Sequence, residues 1–153
     1  MRWAAYVAAV CMGLFMIPLE KNDVGKLQPV ELLYLYIDEE QVILKTDTED
    51  IGQGKTVGEA LHNLHETTPG IIYLDTADYL VVNRNADDLV YELSDHMKKR
   101  VRLCVAESAP DLKEAAVYLS VHKPKWTIAD KIDPGELDVL TVEKSVINLK
   151  ENS

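Results

Sequence analysis

Residues 56–82, TVGEALHNLHETTPGIIYLDTADYLVV, contain one capped amphipathic helix followed by apolar strand segments. Thr56 and Glu59 form a capping-box signature, in which the threonine hydroxyl accepts from a free backbone amide and the glutamate reaches back. The apolar residues of the helix recur at i, i+3, i+4 and i+7, which predicts one buried stripe made of Val57, Ala60, Leu61 and Leu64. Residues 71–74 then form a strand, and residues 79–82 either continue it past a bulge or form another strand.

A hairpin precedes this helix. Residues 30–37, VELLYLYI, are almost continuously apolar, residues 38–40 turn the chain, and residues 41–46, QVILKT, return. Glycines at positions 52 and 54 interrupt the strand pattern before the helix begins.

Two more helices and a second hairpin follow. A helix at roughly 86–98 repeats the apolar stripe, and residues 101–106, VRLCVA, form a strand with Cys104 on the face opposite Val105. A third helix begins at Pro110-Asp111 and ends before Pro124. Residues 139–142 and 146–149 predict a closing hairpin.

The element order is therefore ββαβαβα followed by ββ. Alternating strands and helices favour an α/β (α+β) fold, in which three amphipathic helices cover a mixed sheet of about five to six strands. We assign residues 1–19 to an N-terminal transmembrane helix, 20–28 to a stem, 29–150 to a single domain and 151–153 to a tail.

The leader is an apolar run. Residues 3–19, WAAYVAAVCMGLFMIPL, carry no charge and as a helix would extend about 25 Å, just enough for a short membrane span. Arg2 favours a cytoplasmic N-terminus and an extracytoplasmic domain, although Lys21 and Lys26 reduce this asymmetry. We predict an uncleaved signal anchor in the cell membrane, with partner contacts to the membrane through residues 3–19.

Three other outcomes for the leader stay open. Cleavage lacks a small-residue A-x-A site after the apolar core, and lipidation lacks a small residue before Cys11, where Val10 stands. A buried soluble helix is disfavoured because the run is apolar on all sides.

The charge distribution excludes several classes of partner. The 153 residues include 16 basic and 26 acidic side chains, and Arg2 is the single charge in residues 1–19, so the rest of the chain carries a net charge of −11. This acidity argues against nucleic acid and anionic lipid as primary partners. Two cysteines, Cys11 and Cys104, provide no disulfide framework.

Four short segments together resemble a known family. They are residues 54–61 (GKTVGEAL), 71–74 (IIYL), 79–82 (YLVV) and 101–106 (VRLCVA). Over roughly residues 28–120, their order is similar to the N-terminal domain of the C-subunit lipoproteins of spore germinant receptors. The resemblance implies a membrane-tethered, non-enzymatic component of a receptor complex in endospore-forming bacteria. Those proteins are longer, hold a lipidated cysteine, and in many cases have a histidine where this chain has Asp75 or Thr76. The resemblance therefore implies a short single-domain relative, and no functional residue is transferred.

The residues able to carry chemistry form weak patterns. His62 and His65 lie three apart on the first helix, a spacing that can present two imidazoles to a metal, but a third ligand is not selected among Asp75, Asp78, His96 and His122. Asp75 and Asp78 lie at a strand end, where α/β proteins often bind ligands, although such residues more often cap a turn. We list His62, His65, Asp75 and Asp78 as weak ligand-site candidates, and we predict no catalytic, cofactor or metal residues.

A partial phosphate-binding motif leads to the same expectation. Gly54-Lys55-Thr56 precedes a helix, but Glu49 stands where such a loop requires its first glycine, so we expect no nucleotide. Cys104 is expected to be a buried structural residue.

The predicted function is a non-enzymatic, membrane-anchored domain that contacts other envelope or germination proteins. The alternatives are a small metal-dependent or acid/base hydrolase using Asp75, Asp78 and a histidine, and a secreted ligand-binding module.

Overall fold

The computed structural model describes residues 27–143 and 146–152, and the predicted membrane helix lies outside them. The strands are β1 (Leu27–Pro29), β2 (Leu32–Asp38), β3 (Gln41–Thr46), β4 (Ile51–Gly54), β5 (Ile71–Tyr73), β6 (Tyr79–Asn83), β7 (Arg102–Ala106), β8 (Val139–Glu143) and β9 (Val146–Lys150). The α-helices are α1 (Val57–Thr67), α2 (Val90–Ser94) and α3 (Leu112–Val121).

Seven strands form one mixed sheet in the order β4-β3-β2-β6-β7-β8-β9. The central strands β2, β6, β7 and β8 are parallel, whereas β3 is antiparallel to both of its neighbours and β9 is antiparallel to β8. β1 and β5 pair in parallel in a separate two-stranded sheet. The predicted mixed α/β (α+β) architecture is thus confirmed, but the prediction of about five to six strands is too low.

One of the missed strands is β4, which contains the glycines that interrupt the sequence pattern. A Cβ added to Gly52 would lie 2.2 Å from the Ala60 carbonyl oxygen and 2.5 Å from the Leu64 Cβ. A Cβ added to Gly54 would lie 2.5 Å from the Glu59 Cβ. Glycine at these two positions therefore allows α1 to lie directly on β4. Because glycine has no side chain, β4 also lacks the apolar alternation that identifies a strand in the sequence.

The segment at 74–78 separates two strands. Residues Leu74–Thr76 form a 3-10 turn, after which β6 enters the main sheet. The strand that faces this segment is also divided: β1 pairs with β5, and β2 pairs with β6. The Thr76 side chain bridges the break, because its hydroxyl accepts from the Val30 N–H at 3.0 Å. Of the two alternatives, the separate strand is the correct one, and the small sheet extends from the amino ends of β2 and β6.

The second predicted helix is shorter than expected. Instead of one helix over 86–98, a 3-10 helix at Arg84–Leu89 precedes α2, and the backbone at Ala86 is not helical (φ −126°, ψ 16°). Ala86, Val90, Leu93 and Met97 are nevertheless buried, as the stripe predicts. The buried positions keep a spacing of three and four residues across the kinked 3-10 segment and α2, so the apolar stripe persists without a continuous α-helix.

Helices cover both faces of the sheet. The first face carries Leu33, Leu35, Leu80 and Leu103 beneath α1 and α2, and the second carries Leu32, Tyr34, Val81 and Cys104 beneath α3. The predicted stripe of α1 is buried, and at the same spacing α3 buries Leu112, Ala115, Ala116 and Leu119. The predicted arrangement of helices over a sheet is confirmed, with two on one face and one on the other.

The single helix on the second face crosses the strands. Near its start, the Lys113 ammonium lies 2.7 Å from a Glu49 carboxylate oxygen in the turn between β3 and β4. Farther along, the Tyr118 hydroxyl contacts β9 at the opposite side of the sheet. This crossing allows a helix of ten residues to cover much of one face.

Candidate functional site

A cleft of about 400 Å³ brings together two of the candidate residues, His65 and Asp75. It lies between α1, β5 and the segment after α2. His96, which follows α2, is also at this cleft. The full lining consists of Gly58, Leu61, His65, Tyr73, Leu74, Asp75 and His96.

The other predicted histidine, His62, does not line this cleft. His62 Nε2 lies 3.2 Å from a Glu66 carboxylate oxygen on the exposed surface of α1. Three-residue spacing on the helix therefore does not bring His62 and His65 to one shared ligand. Within residues 27–143 and 146–152, no group of three His, Cys, Asp or Glu side chains is arranged to hold a metal ion.

The two candidate aspartates each contact a cation. Asp75 Oδ2 lies 3.7 Å from the Lys98 ammonium, and Asp78 Oδ1 lies 3.5 Å from the Arg100 guanidinium. About half of each carboxylate side chain is exposed, so these are solvent-screened surface pairs. Asp78 directly precedes β6, which places it at the amino end of the central parallel strands. Ligands of open α/β sheets bind at the carboxyl ends, so both aspartates lie away from that position.

The amino end of α1 uses its free amides internally. The Thr56 hydroxyl accepts from the Glu59 N–H at 3.2 Å, and the Glu59 carboxylate accepts from the Lys55 N–H at 2.8 Å. The reciprocal bond of the predicted capping box therefore goes to the residue before the cap. At this helix start, the groups that a phosphate-binding loop would offer to a ligand contact the chain's own side chains.

Cys104 lies on the second sheet face beneath α3, as the strand alternation predicts. Complete burial raises the pKa of its thiol, and the nearby Asp138 carboxylate raises it further. Because thiolate is the reactive form, this cysteine is a structural residue in the folded protein.

Side chains of α1 cover part of the first edge of the seven-stranded sheet. The Gln53 N–H donates to the Asn63 side-chain oxygen at 3.0 Å, and the Thr67 hydroxyl donates to the Ile51 carbonyl at 3.2 Å. Both side chains come from α1, and both bonds use backbone groups of β4 that point away from the sheet. These contacts cap the edge against pairing with another strand.

The second edge, β9, is open over most of its length. The Leu149 N–H donates to the Tyr118 hydroxyl at 3.1 Å and so points away from β8. In an antiparallel pair, the N–H and C=O of one residue point to the same side, and the residue two positions away shares that side. Both backbone groups of Ile147 therefore also point outward. In the part of the chain that the structure describes, neither these groups nor the Leu149 carbonyl has a hydrogen-bond partner.

An exposed apolar surface lies on the small sheet. Leu27 is directly opposite Ile71, and Pro29 is opposite Tyr73. All four side chains are exposed, whereas Ile72, between the two β5 residues, points to the core. We call this surface, formed by Leu27, Pro29, Ile71 and Tyr73, the β1–β5 outer face.

Sequence reasoning could not find the most open of these surfaces. The sequence alone does not say which strand is at an edge, because strand order is a property of the tertiary structure. The capping side chains Asn63 and Thr67 look like ordinary polar residues of a helix surface, and no local signal distinguishes them.

Comparisons with known proteins found no matching family model, curated protein or solved structure. Among the described residues, no helix is both long and apolar enough to cross a bilayer.

Proposed function

We propose that this protein is a single-pass, membrane-anchored, extracytoplasmic domain without catalytic activity that binds other proteins of the bacterial envelope. The observation that carries the proposal is the open β9 edge at the opposite side of the sheet from β4, where side chains of α1 bond two outward backbone groups. A domain that caps one edge with its own side chains and leaves the other available is suited to accept a strand from a partner.

The chemistry of β9 defines the partner as an extended peptide segment. Its main chain would donate to the Ile147 carbonyl and the Leu149 carbonyl and accept from the Ile147 N–H. Main-chain hydrogen bonds of this kind provide affinity, and side chains that alternate along the edge provide selectivity. Val146 is exposed at the start of β9 and is the first apolar side chain that such a segment would meet.

The anchor and the location follow from the leader. The uncharged run at 3–19 is long enough for a short span, and Arg2 before it favours an extracytoplasmic domain. The resemblance to the germinant-receptor lipoproteins extends the proposal to a partner in the spore germination machinery.

The absence of catalysis is proposed from the surroundings of the candidate acids. Asp75 and Asp78 are half-exposed and lie beside cations, whereas catalytic carboxylates commonly depend on burial to raise their pKa. A second candidate, a small hydrolase, is supported by the cleft in which Asp75 lies with His65 and His96. Turnover of an ester or phosphoester that Asp75→Asn abolishes, with the fold unchanged, would favour this second candidate.

The test places a photo-crosslinking amino acid at Val146 on β9 and, as the matched control, at Ile51 on β4, in the full chain in its native membrane. We expect a specific adduct from position 146 and none from 51. Ile147→Pro removes an outward N–H that β8 does not use, and should abolish the adduct. Ile147→Ala keeps that N–H and controls for the loss of apolar contact.

Three results would contradict the proposal. One is equal crosslinking from both edges, and another is an adduct that survives Ile147→Pro in a folded protein. The third concerns the anchor: recovery of the chain in the soluble fraction after the cells are broken would exclude it.

A further inference from the structure

The β1–β5 outer face is a contiguous apolar surface exposed to solvent. Leu27 is 41% exposed, Ile71 is 58% exposed and Tyr73 is 45% exposed, and the register places them side by side with Pro29. Isolated apolar residues on a surface are ordinary, but four neighbours on one small sheet indicate a contact surface.

We propose that this face rests on the lipid bilayer in which the chain is anchored. The inference rests on the membrane anchor of the proposed function. Residues 20–26 separate the apolar run from β1, and a fully extended chain of that length bridges at most about 28 Å. A domain of roughly 125 residues is about 36 Å across. Leu27, and Ile71 opposite it, therefore stay within about 28 Å of the membrane surface, a limit that the far side of the domain does not share.

The charges beside this face suit a bilayer better than those of the domain as a whole. The nearby segment with Lys98, Lys99 and Arg100 contacts three carboxylates at 3.5–3.9 Å. Those carboxylates belong to Asp75, Asp78 and Asp95. The region is thus locally balanced, although residues 20–153 carry a net charge of −11. Apolar contact, rather than attraction to anionic lipid, is what this surface provides.

Tyr73 fits the same position. Its ring belongs to the apolar face while its phenol can remain in water, a combination enriched at membrane–water interfaces. The contact would also leave the partner edge free. β9 is three strands away from β6, about 14 Å at about 4.8 Å per strand, whereas the small sheet extends from the ends of β2 and β6.

The experiment uses the full chain with Cys11→Ala, reconstituted into phosphatidylcholine vesicles. An environment-sensitive fluorophore is attached at Ile71→Cys and, as the matched control, at Val117→Cys on the exposed surface of α3. Cys104 is buried and stays unlabelled. Nitroxide-labelled lipid should quench most of the emission from position 71 and leave position 117 unchanged. Aqueous iodide should quench in the opposite order.

Each result decides the inference. Quenching by lipid at 71 alone, unchanged at high salt, supports it. If the chain stays in the vesicles after alkaline washing but both positions are equally open to iodide, the anchor stands and the inference is wrong. Protection at 71 without lipid quenching would mean that a second copy of the chain covers the face. A chain that does not stay with the vesicles overturns both proposals.

Discussion

Gly52→Ala should destabilise the domain strongly, because the added methyl has no space. It would lie 2.2 Å from the Ala60 carbonyl oxygen and 2.5 Å from the Leu64 Cβ, where ordinary contact begins near 3.4 Å. Helix α1 would have to retreat from β4 by about 1 Å, which would also weaken the Asn63 and Thr67 contacts that cover part of this edge. Overpacking a core commonly costs about 1–3 kcal/mol of folding stability. Because backbone obstructs the added methyl here, we expect a loss at the upper end, about 3 kcal/mol.

The chain offers a matched control in Gly58→Ala. Gly58 lies in the first turn of α1. Apart from its chain neighbours and the backbone of its own helix, the nearest atom to an added Cβ is the Thr56 hydroxyl oxygen, 3.9 Å away. There the same substitution should stabilise the helix by about 0.5–1 kcal/mol, because alanine loses less backbone entropy.

Urea and thermal unfolding followed by circular dichroism measure both effects. At about 4 °C per kcal/mol for a domain of this size, the melting temperature should fall by about 12 °C in Gly52→Ala and rise by about 2–4 °C in Gly58→Ala. Stabilities within about 1 kcal/mol of each other in the two variants would refute the close contact between α1 and β4.

Three further predictions concern the edge, the thiol and a buried carboxylate. Replacing Asn63 with Ala and Thr67 with Val should uncover β4 and increase self-association in size-exclusion chromatography; a monomer at all concentrations would contradict the capping role. Because burial raises the pKa of Cys104, unfolding should release a proton above the ordinary thiol pKa of about 8.5, so stability should fall as pH rises from about 7 to 9.5 relative to Cys104→Ala; equal pH dependence would count against it. Asp138→Ala should cost about 1–3 kcal/mol in urea unfolding, since the buried carboxylate accepts from the Lys125 N–H at 2.7 Å; a neutral effect would show that water replaces that bond.

The fold was largely predictable where the spacing of apolar side chains indicates which face of an element is buried. The stripes of α1 and α3, the β2–β3 hairpin and the face of Cys104 are all where the apolar spacing predicts them. Prediction failed where a strand lacks the apolar alternation typical of strands, and where an apolar stripe extends beyond the helix that it indicates. The sequence pattern does not identify β4, because glycines carry no apolar side chain, and it overextends α2, because the apolar stripe continues through the kinked 3-10 segment before that helix.

The candidate site was predictable only in part. The sequence named His65 and Asp75 but could not select His96. This histidine lines the same cleft, although β6 and α2 separate it from Asp75 along the chain. The sequence places both aspartates between two strands. Only the tertiary structure shows that the strand before them, β5, lies in the small sheet and that the strand after them, β6, lies in the main sheet.

By itself, the sequence determined an acidic domain behind an apolar leader, with amphipathic helices over a mixed sheet, because composition and apolar period are properties of neighbouring residues. The tertiary structure alone decided which strands are edges, that α1 covers part of the β4 edge while β9 stays open, and that Leu27, Pro29, Ile71 and Tyr73 form one exposed face. These features join residues far apart in the chain, such as Leu27 and Ile71, and no periodicity within one segment encodes such pairing.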